Sequence, residues 1–343
     1  MNVLVLNNMA PFLWGRAEEL AVHLVRQLRL EGAKAEVMRI PFRRNPAERL
    51  IEEMALCRSL RVANADRVIA LKFPVYLVPH DNKILWVLHQ FRQAYDLWDA
   101  GRSSIPDTGR GREIRRIIQM ADSACFAEAR RIFCNSAATQ ARMRRYNDVT
   151  PGILLPPLND PELFCGGDYG NYVLASGRVN RAKRQWLLVE AMRHVRSGLR
   201  LVIAGPPDTP EDEADLRRRA AGLEDRVLLD LRFLPRAELA ALVNGARAIA
   251  YLPHDEDSVG YVTMEAFQAA KPVVTVSDAG GLLDIVKPDE TGLVCAPAPA
   301  ELAAAIDTLG AGADRAAELG RAARALWLGF EVSWPAAIER LLS

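Results

Sequence analysis

The sequence predicts an α/β protein made of two doubly wound parallel sheets. Three observations predict it. Short runs rich in Val, Ile and Leu alternate with helix-patterned stretches, a Pro-, Gly- and Asp-dense stretch interrupts the alternation near the middle, and a second series of similar length then begins. The 343 residues, half of them apolar and a quarter charged, suffice for two such domains with sizeable cores.

Residues 3–6 (VLVL) read as a buried strand, residues 7–15 as a loop, and residues 18–30 as an amphipathic helix with Leu20, Leu24 and Leu28 at one-turn spacing. Strands follow at 35–40, 67–71, 83–88 and 131–134, the last leading into a helix over 137–145. Residues 156–170 (PPLNDPELFCGGDYG) have the composition of an interdomain linker. The second series predicts strands at 172–176, 200–204, 227–229, 248–252 and 272–276, with helices at 184–195, 211–221, 236–244 and 262–270 between them. Helices at 301–309 and 314–328 precede a tail carrying Trp334. The expected division is 1–165, 166–328 and a closing segment 329–343 whose helix packs back toward the first domain.

With 44 Lys+Arg against 43 Asp+Glu, the formal charge of +1 argues against whole-protein attraction to nucleic acid or to an anionic membrane, so any anion must be held by a local site. The basic stretch 110–116, with Arg142, Arg144 and Arg145, offers local attraction to an anionic acceptor or a membrane surface, and reads first as a solvated helix face. Phe73, Tyr76, Trp86, Phe91, Tyr95 and Trp98 suit either a stacking wall or core packing. Cys57, Cys125, Cys134, Cys165 and Cys295 form no CxxC, so neither a disulfide framework nor a zinc site is expected, and a reducing cytoplasm fits. The N-terminus lacks a basic n-region, and no apolar run is long enough to cross a bilayer. G-x-G-x-x-G is missing after the first strand (NNMAPFLWG) and after Ala204 (GPPDTPED), and no Walker A sequence occurs. These absences tell against dinucleotide oxidoreductases and P-loop NTPases.

The densest chemistry lies in residues 253–274 (PHDEDSVGYVTMEAFQAAKPVV). An acidic loop follows a strand and ends at Gly260, where a helix bearing Glu265 begins. Backbone N–H groups along Ser258, Val259, Gly260, Tyr261 and Val262 can face an anion at that helix start. Asp257 and Glu265 have seven residues between them and flank this nest. Residues 176–183 (SGRVNRAK) place Gly177, Arg178 and Lys183 on a loop entering a helix, where a guanidinium fork and an ammonium can converge on a diphosphate. Each residue also has a plainer reading: Glu265 as a helix-start charge, Arg178 and Lys183 as solvated cations, Asp257 as one member of an acidic loop with Glu256 as an off-register rival, and His89 as a hydrogen-bonded core histidine.

Together these blocks resemble family 4 glycosyltransferases of the GT-B fold. The 257–274 stretch is similar to that family's E-x7-E block and following Pro-Val-Val strand, with Asp257 for the first Glu, His254 for Ser and Ala270 for Gly. Residues 177–183 resemble its Gly-Arg-x-x-x-x-Lys segment, with Arg184 at a position often held by Gly. Residues 279–286 (AGGLLDIV), 291–294 (TGLV) and 201–205 (LVIAG, ending at Gly205) match further blocks in order. In the first half, Gly15 and Arg16 stand at the family's Gly-Gly-x-Glu loop and His89 at its strand-terminal His, while Asn135-Ser136 and residues 154–164 match more weakly.

The resemblance implies two Rossmann-like domains facing across a cleft, the first for a hydroxyl acceptor and the second for a nucleotide diphosphate sugar. The implied reaction is retaining sugar transfer without a cofactor or metal. Arg178 and Lys183 would clamp the leaving diphosphate, Glu265 the ribose, and Asp257 and His89 the donor sugar. Gly15, Arg16, Gly177, Gly205 and the 258–262 loop would let the backbone approach the donor. The implied partners are the donor and an acceptor (glycan, glycolipid or small molecule), with no nucleic acid. A non-catalytic nucleotide-sugar-binding subunit and a hydrolysing epimerase are the alternatives, while base, sugar, acceptor and oligomeric state are not readable.

Overall fold

The computed structural model describes residues 1–12 and 15–343, the side chain of Arg16 excepted. The chain divides into two compact units, Met1–Pro157 with Val332–Ser343, and Leu158–Glu331. In the first, β1 (Asn2–Met9), α1 (Arg16–Leu30), β2 (Lys34–Pro41), α2 (Leu50–Ser59), β3 (Arg67–Ala70), β4 (Lys83–Val87), α3 (Asp96–Asp99), α4 (Gly109–Glu128), β5 (Arg131–Cys134), α5 (Ala137–Asn147) and β6 (Gly152–Ile153) follow in turn. The second holds β7 (Tyr172–Ser176), α6 (Gln185–Met192), β8 (Arg200–Ala204), α7 (Pro210–Ala220), β9 (Val227–Asp230), α8 (Arg236–Gly245), β10 (Ala248–Ala250), α9 (Tyr261–Gln268), β11 (Val273–Val276), β12 (Gly292–Cys295), α10 (Pro299–Gly310) and α11 (Asp314–Gly329). The last helix, α12 (Trp334–Leu342), belongs to the first unit.

Each sheet is six-stranded and wholly parallel, in the orders β2-β1-β3-β4-β5-β6 and β12-β11-β10-β7-β8-β9. Helices cover both faces, which is why β3 and β4 carry no exposed residue. In the first unit, Leu20, Leu24 and Leu28 of α1 join Trp334, Ile338 and Leu341 of α12 on one face, while Leu50, Met54, Ile114 and Ile118 of α2 and α4 fill the other. Trp86 is buried under α12's side of the sheet and donates its indole N–H to the Leu154 carbonyl at 2.9 Å.

Several elements differ from expectation, most of them at their ends, as where β1 runs on to Met9. Helix α2 and the edge strands β6 and β12 were not read from periodicity. The basic stretch is the solvated helix face expected of it, on α4: Gly111, Ile114, Ile118, Asp122 and Cys125 face inward at helical spacing, and Arg110, Arg112 and Arg116 form its exposed face. The unit boundary falls at Pro157, because residues 158–166 are hydrogen-bonded into the second unit: Arg236 donates to the Asn159 carbonyl at 2.7 Å and Asn244 to the Leu163 carbonyl at 2.7 Å. Helix α6 starts at Gln185, one residue late, with Arg184 outside it at φ +54°. Of the aromatics, Phe73, Tyr76, Trp86, Phe91 and Tyr95 are core, Phe73 stacking on Phe91 at 4.7 Å between centroids.

Inside the first unit, Asp122 of α4 has no solvent exposure and both its oxygens accept tyrosine hydroxyls, from Tyr76 at 2.8 Å and Tyr95 at 2.7 Å. Burial pushes its carboxyl up to about 7, against the pull of Tyr95 and Tyr76. An acid whose folded value lies above its unfolded one contributes stability at low pH that is lost as pH rises. Asp122→Asn removes that loss. The melting temperature of the variant relative to wild type therefore rises between about pH 4 and pH 7 and is flat above; a pH-independent difference contradicts the assignment.

Candidate active site

In the second sheet the chain starts at β7, runs outward through β8 and β9, and returns to build β10, β11 and β12 on the other side. The loops after β7 and β10 consequently diverge at a topological switch point, where open parallel sheets leave a crevice at their carboxyl edge. Gly177 and Gly205 end β7 and β8 there. A Cβ on Gly205 would lie 2.3 Å from the Gly177 carbonyl oxygen, at a φ of +141° that side chains rarely adopt. The Gly177 N–H donates to the Ala204 carbonyl at 2.9 Å, and a Cβ on Gly177 would reach Val262 at 4.0 Å, so the backbone after β7 adjoins the start of α9.

Gly260 caps α9 at φ +77°, and a Cβ there would meet the Tyr251 ring at 2.6 Å. Only glycine lets the chain turn over that ring into the helix. The first turn of α9 then presents the N–H groups of Tyr261 and Val262 at the positive end of its dipole, while the Thr263 N–H donates to the Gly260 carbonyl at 3.1 Å. Val259, Gly260 and Val262 are buried here, and Ser258 and Tyr261 half-buried.

Lys183 reaches this place from the β7 loop. Its ammonium pairs with Glu256, donates to the Tyr251 hydroxyl at 2.7 Å and lies 4.9 Å from the Tyr251 ring centroid. Burial alone would lower the ammonium, but Tyr251 and Glu256 outweigh it, so Lys183 titrates above its usual range and stays charged. Burial pushes the Tyr251 hydroxyl up to about 12. Arg178, exposed, donates to Asp208 at 3.1 Å. Asn180 donates to the other Asp208 oxygen at 2.9 Å and accepts the Lys183 N–H at 2.9 Å, so one network shapes the whole loop. Arg184, buried, donates to the Leu252 and Pro253 carbonyls at 2.8 and 2.7 Å and forks onto Asp278 at 2.9 and 2.7 Å, binding the loops after β7, β10 and β11 together. That fork holds the Asp278 carboxyl below its usual range.

Glu265 has no exposed surface and is ion-paired with Arg236 of α8, whose other nitrogen donates to Asn159. Asp257 lies half-buried on the β10 loop beside Glu256. Sequence spacing favoured Asp257 and set Glu256 aside as off-register; Glu256 nonetheless has the Lys183 partnership, fixed by its backbone, which bonds Ala279 and Gly281 of the β11 loop at 2.9 and 2.8 Å. Tyr251, Arg236 and Arg184 were not singled out as site residues. Their pairings span 68, 29 and 94 residues, beyond any local pattern, though a Tyr closing an apolar strand next to a Pro-acidic loop was a usable signal.

In the first unit, Gly15 caps α1 in extended backbone, its N–H donating to Glu18 at 3.0 Å as in a capping box. The Arg16 side chain lies outside the described residues. His89 follows β4, half-buried, with Nδ1 at 2.8 Å from the Gln90 carbonyl.

Residues 168–326 match the family model of glycosyl transferases group 1. The matched segment contains every second-unit residue just described except Asn159 and its neighbours in the linker. Among curated proteins, the chain is similar to the alpha-maltose-1-phosphate synthase of Mycolicibacterium smegmatis, 31% identical over 177 residues, 48% of this chain and 45% of that protein. It is also similar to a D-inositol 3-phosphate glycosyltransferase of Geodermatophilus obscurus, 31% identical over 206 residues, 52% of this chain and 45% of that protein. The chain thus spans under half the length of these relatives. Among solved structures, sucrose-phosphate synthase of Thermosynechococcus elongatus aligns with 99% of this chain and 97% of its own at TM-score 0.74 and 18% identity. Anabaena HepE in complex with UDP and glucose aligns with 100% and 98% at TM-score 0.73 and 16% identity. These likenesses show a GT-B fold over the whole chain.

Removing a cationic partner of a buried carboxylate costs stability. Arg236→Met is expected to cost about 3–5 kcal/mol of second-unit stability, and adding Glu265→Gln to restore most of it, as urea unfolding will measure; equal losses in the single and double variants contradict the pairing. Gly260→Ala should cost about 1–3 kcal/mol in the same assay.

Proposed function

We propose that the chain is a retaining family 4 glycosyltransferase, moving a hexose from a nucleotide diphosphate donor to a hydroxyl acceptor. One observation carries the reading: the Lys183 ammonium, the glycine-lined strand ends and the first turn of α9 lie at the switch point of the segment that matches the group 1 glycosyl transferases.

Breaking the bond between the anomeric carbon and the diphosphate oxygen puts negative charge on the phosphates and positive charge on the sugar. Lys183 and Arg178 are already charged and already hold carboxylates, so a diphosphate replaces Glu256 and Asp208 as their acceptor at little cost in reorganisation. The α9 N–H groups around Gly260, Tyr261 and Val262 add donors aimed at the same charge, with Gly177 and Gly205 admitting the phosphates close to the backbone. Glu265 accepts from ribose hydroxyls, its orientation set by Arg236. Asp257 takes hydroxyls of the donor sugar. The acceptor hydroxyl attacks from the side the diphosphate leaves, giving its proton to the departing phosphate oxygen, so the configuration is kept. The chemistry calls for no cofactor and no metal. Five cysteines without a disulfide between them suit a reducing cytoplasm.

Because HepE was solved with UDP, uridine diphosphate is the first probe. Thermal shift with UDP, GDP, ADP and TDP should show stabilisation by one base, and proton NMR of a transfer reaction with the matching sugar nucleotide should show a product of unchanged anomeric configuration. Lys183→Ala and Glu265→Ala are each expected to lower turnover about 10²–10³-fold. An inverted product, or near-wild-type rates in both variants, overturns the mechanism.

A further inference from the structure

The grip on Glu265 comes from residues that precede the second sheet in the chain. Arg236, the first residue of α8, turns one guanidinium nitrogen to the Glu265 carboxylate and donates from the other to the Asn159 carbonyl at 2.7 Å. Its Nε lies 3.9 Å from an Asp160 carboxylate oxygen, and its central carbon stands 4.6 Å from the centroid of the Phe164 ring. Phe164 has no exposed surface. The far end of α8 holds the same segment: the Asn244 amide donates to the Leu163 carbonyl at 2.7 Å, and its oxygen accepts the Gly166 N–H at 3.1 Å. One helix therefore carries both the cation that faces Glu265 and the anchor of the chain that steadies that cation. All of these residues belong to the second unit.

A free arginine side chain samples many rotamers. A planar guanidinium bonded to a carbonyl, flanked by a carboxylate and seated over an aromatic ring keeps one orientation, and here that orientation sends an N–H to Glu265. A glutamate in turn has three side-chain torsions, and ordering them only when a ligand arrives would weaken binding. Held beforehand by Arg236, the Glu265 carboxylate meets a ligand hydroxyl already in place. A lysine at position 236 would keep the charge, but as a compact ammonium it lacks the fork that spans Asn159 and Glu265 together.

We propose that Asn159, Asp160 and Phe164 are positioning residues: they clamp the Arg236 guanidinium, and through it hold the Glu265 carboxylate in the geometry that receives ribose hydroxyls. The proposal rests on the glycosyltransferase reading for the ribose, but not for the clamp.

The test uses the full chain and titration calorimetry with UDP and with 2′,3′-dideoxyuridine diphosphate, which lacks the ribose hydroxyls. Wild type should bind UDP about ten-fold more tightly than the analogue, the worth of one hydrogen bond. Phe164→Leu, which removes the ring, and Arg236→Lys, which removes the fork, should each lose most of that advantage while binding the analogue as wild type does. A merely structural role would weaken both ligands equally, and that result overturns the proposal. In urea unfolding, Phe164→Leu should cost less in a Glu265→Gln background than in wild type, because part of its effect runs through the ion pair; strictly additive losses also overturn the clamp. If wild type binds the two ligands alike, or neither, the ribose reading of Glu265 falls, while the unfolding cycle still decides the clamp.

Discussion

A partly buried ammonium needs an anion, and at the switch point of the second sheet that need organises everything around it. Lys183 comes from the loop after β7, Glu256 and Tyr251 from the end of β10 and its loop, and their pairing joins the two segments whose divergence makes the crevice. Arg184 repeats the device one residue further on, using carbonyls and Asp278 in place of Glu256. Cationic residues on one loop therefore find their acceptors on the facing loops. A ligand bearing two phosphates is the natural competitor for such acceptors, because it offers more oxygens and more charge than a single carboxylate.

Much of the second unit was readable in the linear sequence, for physical reasons. Strands buried on both faces are uninterrupted apolar runs, and β7, β8 and β11 announce themselves that way. Glycines forced by close approach, Gly205 and Gly260, stand where strand runs end, so their positions and the chemistry of the neighbouring loops were legible together. What stayed hidden depends on contacts distant in sequence. Nothing near Arg236 indicates that it neutralises Glu265, and counting residues favoured Asp257 although the hydrogen bonds from Glu256 to the β11 loop turn Glu256 to the lysine. In the first unit, the buried Asp122 interrupts the inward stripe of α4, so the sequence showed its basic face without the full twenty residues of the helix.

The asymmetry between the units follows from what each has to recognise under the proposed activity. A diphosphate is the same anion whatever sugar it carries, so the residues that hold it fall into a recognisable spacing, and the family match is confined to residues 168–326. The first unit shares the fold without the motifs. Its polar interior is instead a private network, in which one carboxylate without solvent access and two tyrosines tie α4 to the loop after β4. Such a group is costly to bury, and it is tolerated because every one of its oxygens has a donor.

The most direct test of the diphosphate site is a structure determined with UDP bound. The β-phosphate should lie within about 3 Å of the Lys183 ammonium and of an α9 first-turn N–H, with Glu256 displaced from the lysine and the ribose against Glu265. A nucleotide bound elsewhere on the second unit, with the Lys183–Glu256 pair intact, would contradict it.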